Sequence, residues 1–310
     1  MAHEGFMFTK PMMAKKIKGK DYGLEFGLMV LNYLYKSKAL HYGYWELDDE
    51  VNLWNFGKAQ ESYTNHLLRH IPTEVKDVLD VGCGTGVVAQ RLIAEGCRVE
   101  CLSPSPYLNA EARRNLPAAT IVHETTFEDF RTDRIYDLVM FIESFQYVKM
   151  EEALTKAVRL LKPGGRIVIC DVFRLDTPGR SPIGGGQYYS KYLRACDVMG
   201  LVCAKDLDIT ANIAPTFDLV QDLSLNLMKP AWENALRIFA ANHPYISRFV
   251  NWRFRKRLKK MNRHFNPERN AKGFLEYKTY RIQVLTSKAD LDSGHSTLPS
   301  LGKAVALSSP

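Results

Sequence analysis

The nine residues Val78-Leu79-Asp80-Val81-Gly82-Cys83-Gly84-Thr85-Gly86 constrain this chain more than any other stretch. A short apolar run that breaks into glycines at alternate positions reads as a buried strand entering a tight turn. Residues 86–95 behind it carry a helical pattern. Glycine is needed where a backbone turns sharply, or where a side chain would strike a bound ligand. Asp80 ends the strand beneath the turn, placed to fix either the glycine loop or an amino group of that ligand. Two common nucleotide loops do not fit. Val87 stands where a dinucleotide fingerprint wants its third glycine, and no Lys-Ser/Thr pair follows to grip phosphate.

The same alternation continues downstream. Apolar runs at 77–81, 98–102, 119–124, 136–142 and 166–173 read as strands, with helices at 86–95 and 153–161 and a turn at Pro163-Gly164-Gly165. Strands that alternate with helices build a parallel sheet covered on both faces. Residues 201–209 and 276–285 add a sixth and a seventh strand, separated by a mostly helical insertion from Thr216 to Phe265. Upstream, 55–70 reads as an amphipathic helix ended before Pro72, and 22–37 as a helix weakened by two glycines. Residues 1–20 look like a mobile basic arm, and 289–310, rich in Ser, Gly and Pro, like a disordered tail. The expected division is therefore a covering N-terminal segment (1–70), a core (71–215), a basic cap (216–275), a final core strand (276–288) and the tail (289–310).

Composition narrows the class. No apolar run approaches the roughly 18 residues of a membrane span, and the N-terminus lacks the apolar centre of a secretory signal. The expected location is the cytoplasm. Six scattered cysteines show no metal-ligand spacing and read as reduced, packed thiols. The net charge of +8 is concentrated: Ile246–Gly273 holds ten Lys or Arg against Glu268 alone, leaving the remainder near neutrality. A local cationic stretch implies an anionic partner.

Three motifs in order carry a resemblance. The glycine loop, then Tyr136-Asp137-Leu138-Val139 with Glu143, then Leu161-Lys162-Pro163-Gly164-Gly165 resemble class I S-adenosylmethionine-dependent methyltransferases over about Val78 to Phe173. The resemblance extends to the small-molecule and lipid branch, which includes tocopherol, sterol and cyclopropane-synthase-like enzymes. It implies a Rossmann-like, seven-stranded, mostly parallel sheet with helices on both faces and a helical insertion between the last two strands. It also implies S-adenosyl-L-methionine as cofactor, held by Asp80, Gly82, Cys83, Gly84 and Gly86. Many family members end the second strand with an acid for the ribose. Here Ser103-Pro104 stands there, so Ser103 either bonds the ribose by its hydroxyl or simply starts the next helix. Thr126 and Phe127 align with the adenine contacts, Phe127 by stacking, with Glu128 as the alternative acceptor.

Chemistry is expected above strands one and four, where the strand order reverses. Glu143 is the candidate general base or cation-stabilising carboxylate, or else a surface or cofactor-contacting glutamate. Gln146 beside it is the candidate substrate contact. The segment His41-Tyr42-Gly43-Tyr44-Trp45 resembles an aromatic element that closes over the cofactor in lipid-active members. Tyr42 is therefore a catalytic candidate and His41 and Tyr44 substrate candidates, with Trp45 read as packing. Cyclopropane synthases carry Glu-His after strand four for bicarbonate. This chain has Gln146-Tyr147, which argues against cyclopropanation.

The basic segment 253–263 interleaves Phe254, Leu258 and Met261 among its charges, suiting an anionic membrane surface, a phosphate-bearing substrate or a solvated helix. The absence of a nucleic-acid module argues against RNA. The expected function is methyl transfer to a small hydrophobic or amphipathic metabolite, of prenyl, quinol, fatty or phosphate-bearing kind. The alternatives are a non-catalytic cofactor-binding or membrane-associated partner and an RNA methyltransferase.

Overall fold

A computed structural model describes residue 33 and residues 38–262 and 265–292. The expected basic arm (1–20) and all but one residue of the expected helix at 22–37 lie outside the described residues. The order of elements is α1 (Phe56–Leu68), β1 (Asp77–Val81), α2 (Val87–Ala94), β2 (Arg98–Leu102), α3 (Pro106–Asn115), β3 (Val122–His123) and β4 (Tyr136–Ile142). Then follow α4 (Met150–Arg159), β5 (Leu161–Arg174), β6 (Gln187–Tyr188), α5 (Tyr189–Val198), β7 (Leu201–Asp208), α6 (Thr210–Ile213) and α7 (Pro215–Asp222). A π-helical turn, Leu223–Met228, leads into α8 (Lys229–Asn242) and α9 (Pro244–Asn262). The chain returns through α10 (Ala271–Tyr277), β8 (Lys278–Ser287) and α11 (Lys288–Asp292).

The main path of the sheet runs β3-β2-β1-β4-β5-β8-β7, with the short β6 paired to β5 off that path. Among the described strands only β8 is antiparallel to its neighbours. This is the expected Rossmann-like sheet, with one strand more than seven. Successive side chains of the central strands enter opposite faces, and each face has its own apolar cluster. Leu138 and Met140 join one, with Val78, Val168 and Cys170, while Val139 and Phe141 join the other, with Leu79, Val81 and Ile169. The strands are apolar on both sides because helices cover both sides.

The differences from expectation are local. The anticipated strand at 119–124 is reduced to Val122–His123. The Pro163-Gly164-Gly165 turn is absorbed into β5, whose pairing with β4 jumps from Tyr136↔Leu161 to Leu138↔Arg166. Glu276 and Tyr277 belong to α10, so the last strand begins at Lys278. Ala289 does not open a disordered tail: Lys288 N–H donates to Gly200 O at 2.8 Å, and helix α11 runs to Asp292. The rest of that tail, 293–310, lies outside the described residues.

β1 has β2 on one side and β4 on the other, so the connections leave it in opposite directions. The carboxyl ends of β1 and β4 therefore flank the crevice where sheets of this kind bind ligands.

Candidate functional site

The glycine loop follows β1 and is tied back to β2 by Gly82 N–H to Leu102 O at 2.7 Å. Gly82, Gly84 and Gly86 all have positive φ (82°, 57° and 80°), a region costly for other residues. Only one of the three faces open space. A Cβ on Gly82 would overlap Ser144 Cβ, and one on Gly86 would meet Leu116 Cδ1 at 3.0 Å, whereas one on Gly84 would meet nothing within 4 Å. Close approach at Gly82 and Gly86 is thus to the protein itself, and Gly84 is the bare position. Cys83 packs partly into the core and accepts from Gly86 N–H at 2.9 Å.

Asp80 is 2% exposed. Burial alone pushes its carboxyl up to about 7, with no hydrogen bond from the described residues to offset it. It does not anchor the glycine loop. A buried carboxyl without a protein donor is an unfilled hydrogen-bonding site. Together with the empty space over Gly84, it fits a nucleoside ligand bearing a cationic amino group.

Ser103 is buried, and its Oγ accepts from Ser105 N–H at 3.2 Å, which leaves its own O–H to donate. The helix cap belongs to Ser105, which accepts from Leu108 N–H at 3.4 Å. Pro104, between them, is exposed.

The adenine expectations need correcting at two side chains. Thr126 Oγ1 donates to Asp129 Oδ2 at 2.8 Å and accepts from Asp129 N–H at 3.2 Å, so its hydroxyl is consumed in its own turn. Phe127 is 2% exposed, edge-on to Phe141 at 5.3 Å, with Lys156 Nζ 5.1 Å from its ring. Its ring faces the core and is not free to stack on a base. Glu128, the alternative acceptor, takes Lys149 N–H at 3.1 Å.

At the end of β4, Glu143 has φ 53°, the one positive φ among the described non-glycine residues. Such strain persists where the surroundings impose it, and it gathers at functional sites. Glu143 Oε1 accepts from Tyr280 Oη–H at 2.7 Å and from Tyr42 N–H at 3.1 Å. Burial nevertheless drives its carboxyl up to about 8, against these two hydrogen bonds. Tyr280 Oη lies 2.7 Å from Tyr63 Oη, which lies 3.0 Å from Cys170 Sγ. With Glu143 ionised, every proton in this chain can point toward it: Cys170 to Tyr63, Tyr63 to Tyr280, Tyr280 to the carboxylate.

Tyr42 completes the cleft. Its ring lies 5.1 Å from Phe217 and, edge-on, 6.0 Å from Tyr280. Burial and the Glu143 carboxylate push its phenol far above the ordinary range.

The other expected substrate contacts are committed elsewhere. His41 stacks on Tyr63 at 4.3 Å with Nε2 3.1 Å from Thr64 Oγ1, and burial lowers it to about 4, so it is neutral. Tyr44 is 8% exposed and stacked on His66 at 4.2 Å, so packing against α1 replaces the expected substrate contact. Trp45 is buried, as expected, with Nε1–H donating to Thr216 Oγ1 at 3.0 Å. Gln146 is turned inward. Its Nε2 donates to Asp171 Oδ1 at 3.0 Å and its Oε1 accepts from Gly186 N–H at 3.2 Å, so it clamps the loop between β5 and β6. Lys278 holds the same loop from the other side, Nζ to Gly185 O at 2.6 Å.

The sequence reading missed Tyr63, Tyr280 and Asp171. The first two carry no local signature. Asp171 did: an acid inside the apolar run Ile169-Cys170-Asp171-Val172-Phe173. It is fully buried, accepts from Gln146 N–H and Val172 N–H at 3.0 and 2.7 Å, and is pushed up to about 7 by burial.

Residues 79–169 match the family model described as a methyltransferase domain. This stretch is an S-adenosylmethionine-dependent methyltransferase domain. Among relatives of the chain is the ubiquinone biosynthesis O-methyltransferase of Rickettsia akari (strain Hartford), 24% identical over 198 residues, which cover 57% of this chain and 78% of that one. Among solved structures, a geranyl diphosphate C-methyltransferase from Streptomyces coelicolor A3(2), in complex with Mg2+, geranyl-S-thiolodiphosphate and S-adenosyl-L-homocysteine, superposes with a TM-score of 0.59. It is 15% identical and covers 89% of this chain and 99% of that one. The [4+2]-cyclase SpnF superposes equally well, with a TM-score of 0.59, 19% identity and coverage of 87% and 94%. Structural likeness at these identities describes the fold, and the substrate has to be argued from the cleft.

Proposed function

We propose that the methyltransferase alkylates a small hydrophobic or amphipathic metabolite, with Glu143 as the carboxylate that faces the acceptor. The observation that carries this reading is Glu143 itself: a strained backbone position at the end of β4, where the strand order reverses, held by Tyr280 and by the Tyr42 N–H. S-adenosylmethionine, when bound, supplies an electrophilic methyl group. Asp80 is suited to its amino group, the bare backbone at Gly84 to its body, with Gly82, Cys83 and Gly86 shaping the turn that presents it, and Ser103 with Pro104 to its ribose. Thr126 and Phe127 could contribute only backbone groups there.

The protein's own residues then act in three ways. Tyr42, Phe217 and Tyr280 present ring faces and edges that exclude water and suit an apolar acceptor. Glu143 takes a proton from the acceptor or stabilises positive charge developing on it. Tyr280, backed by Tyr63, stabilises its ionised form. The Rickettsia relative, named for ubiquinone biosynthesis, and the Streptomyces structure, which holds geranyl-S-thiolodiphosphate, support an acceptor of this kind.

The reading carries a division of labour. Of the expected covering segment (1–70) the described residues 38–70 cover the site, 71–215 and 276–288 form the cofactor-binding core, and 216–275 form a basic cap. It also carries a cytoplasmic protein in peripheral contact with an anionic membrane through 246–273. Among the described residues no helix is long and apolar enough to cross a membrane. The test is formation of S-adenosylhomocysteine from the methyl donor with a cell lipid extract, with Glu143→Gln as control. Turnover that depends on both the extract and Glu143 is expected. No calorimetric heat with either the donor or its demethylated product would refute the reading.

A further inference from the structure

The insertion between β7 and β8 exposes apolar side chains in a pattern that solvent does not reward. α8 has no buried residue, and α9 packs against it along one seam. Trp232, Leu236 and Ala240 of α8 and Ser247, Val250, Phe254 and Leu258 of α9 are the less exposed positions, at the spacing that defines one helix face. Around the turn at His243 the outer surface carries Ile238 and Phe239 from α8 and Tyr245, Ile246, Phe249 and Trp252 from α9. Tyr245, Phe249 and Trp252 are 85%, 59% and 70% exposed. At about 100° per residue they fall within roughly 60° of arc, on the side of α9 opposite its seam. Phe249 and Trp252 have ring centroids 6.1 Å apart and form one aromatic surface.

Charge is arranged around that surface. From Pro244 to Asn262 there are seven Lys or Arg and no acid. By the same rotation Arg248, Arg253 and Arg255 flank the aromatic line, and Lys256 continues it one turn further. The outer face is therefore apolar at the hairpin tip and cationic along its shaft. Apolar residues near the tip can enter the acyl boundary while the flanking cations meet anionic headgroups. The exposed tip also carries the aliphatic Ile238 and Ile246, which suit acyl chains and offer nothing to stacked bases.

The roots of the hairpin lie at the cleft. Going out, α7 places Phe217 5.1 Å from Tyr42; coming back, α10 places Phe274 4.2 Å from Phe217, stacked. The two strokes are joined at the base by Ala271 N–H to Asp218 Oδ1 at 2.8 Å. The hairpin is thus an outward extension of the aromatic wall that lines the acceptor side.

We infer that the α8–α9 hairpin docks on an anionic lipid bilayer by its Tyr245/Phe249/Trp252 face, and that the acceptor reaches the cleft from the bilayer along the Phe217–Phe274 wall. The first half narrows the membrane contact proposed above to one helix face, and the second rests on the methyltransferase reading. The two are tested separately. Full-length protein is sedimented with vesicles of phosphatidylcholine alone and with added phosphatidylglycerol. Binding to the anionic vesicles only, weakened roughly tenfold or more by Tyr245→Ser/Phe249→Ser/Trp252→Ser and similarly by Arg248→Gln/Arg253→Gln/Arg255→Gln, is expected. Both variants alter exposed side chains, and their unfolding temperatures should match that of the parent. Failure of the parent to sediment, unchanged sedimentation of the aromatic variant, or salt-sensitive RNA binding without vesicle binding would each overturn the docking. Donor binding, followed by calorimetry without lipid, reports on the methyltransferase reading and should be the same for all three proteins. With lipid-extract vesicles as acceptor source, the aromatic variant should lose turnover in proportion to its lost sedimentation. Full turnover without docking would overturn delivery from the bilayer.

Discussion

Replacing Tyr280 with Phe removes one hydroxyl and leaves the ring. The lost bond, Oη–H to Glu143 Oε1 at 2.7 Å, favours the ionised carboxylate and so holds its pKa down. A hydrogen bond to a charged group contributes about 1.5–3 kcal/mol, and one pKa unit corresponds to about 1.4 kcal/mol. Glu143, already pushed up to about 8 by burial, should therefore rise by about one to two units. If the ionised form is the one that works, kcat/KM of the parent climbs with pH through about 8. The Tyr280→Phe limb should then move to higher pH. At neutral pH the variant should be about tenfold slower or worse, and the gap should close as pH is raised. The assay is S-adenosylhomocysteine formation across pH, with donor affinity measured alongside. A uniform loss with an unmoved limb would show that Tyr280 only packs. An unchanged profile would show that Glu143 is not the titrating group.

The two glycines that look alike in sequence should fail differently. Gly84→Val places a side chain in open space, so the protein should fold, at about 1–2 kcal/mol for the left-handed backbone, and give no donor heat in calorimetry. Gly82→Ala collides with Ser144 and should lower the unfolding temperature before any ligand is added. Donor affinity should increase as pH rises toward about 7 and then level off, because the cationic amino group needs Asp80 ionised; a flat calorimetric series would remove Asp80 from the site. Asp80, Asp171 and Glu143 have folded pKa values raised to about 7, 7 and 8, so between pH 6.5 and 8 the folded state binds more protons than the unfolded one. Stability should fall as pH rises through that window, read as a falling unfolding temperature, and Glu143→Gln should flatten the fall. Tyr44→Leu should lower stability and leave KM unchanged, while Tyr42→Leu should raise KM, as measured in steady-state assays.

What the sequence discloses is what a single stretch of chain accomplishes by itself. β1, β2 and β4 span the residues read from their apolar runs, since strands buried on both faces carry little but apolar residues. The glycine loop and Glu143 were legible for the same reason: each sits next to the strand that positions it. Phe127 was placed in the wrong direction because the chain there turns, and a turn gives no alternation from which to infer which way a ring points. Tyr280 was invisible for a deeper reason. Its hydroxyl reaches Glu143 only because β8 runs antiparallel to β5 with Tyr280 opposite Val172, while Glu143 N–H is held by Cys170 O on that same strand. Shift the register by one residue and Tyr280 turns to the other face, leaving Glu143 without its donor. The residue that tunes the proposed base is thus fixed by pairing across more than a hundred positions of sequence, through a strand that follows the hairpin. Anything that moves the roots of that hairpin, Phe217 and Phe274, acts on the wall that Tyr42 and Tyr280 share.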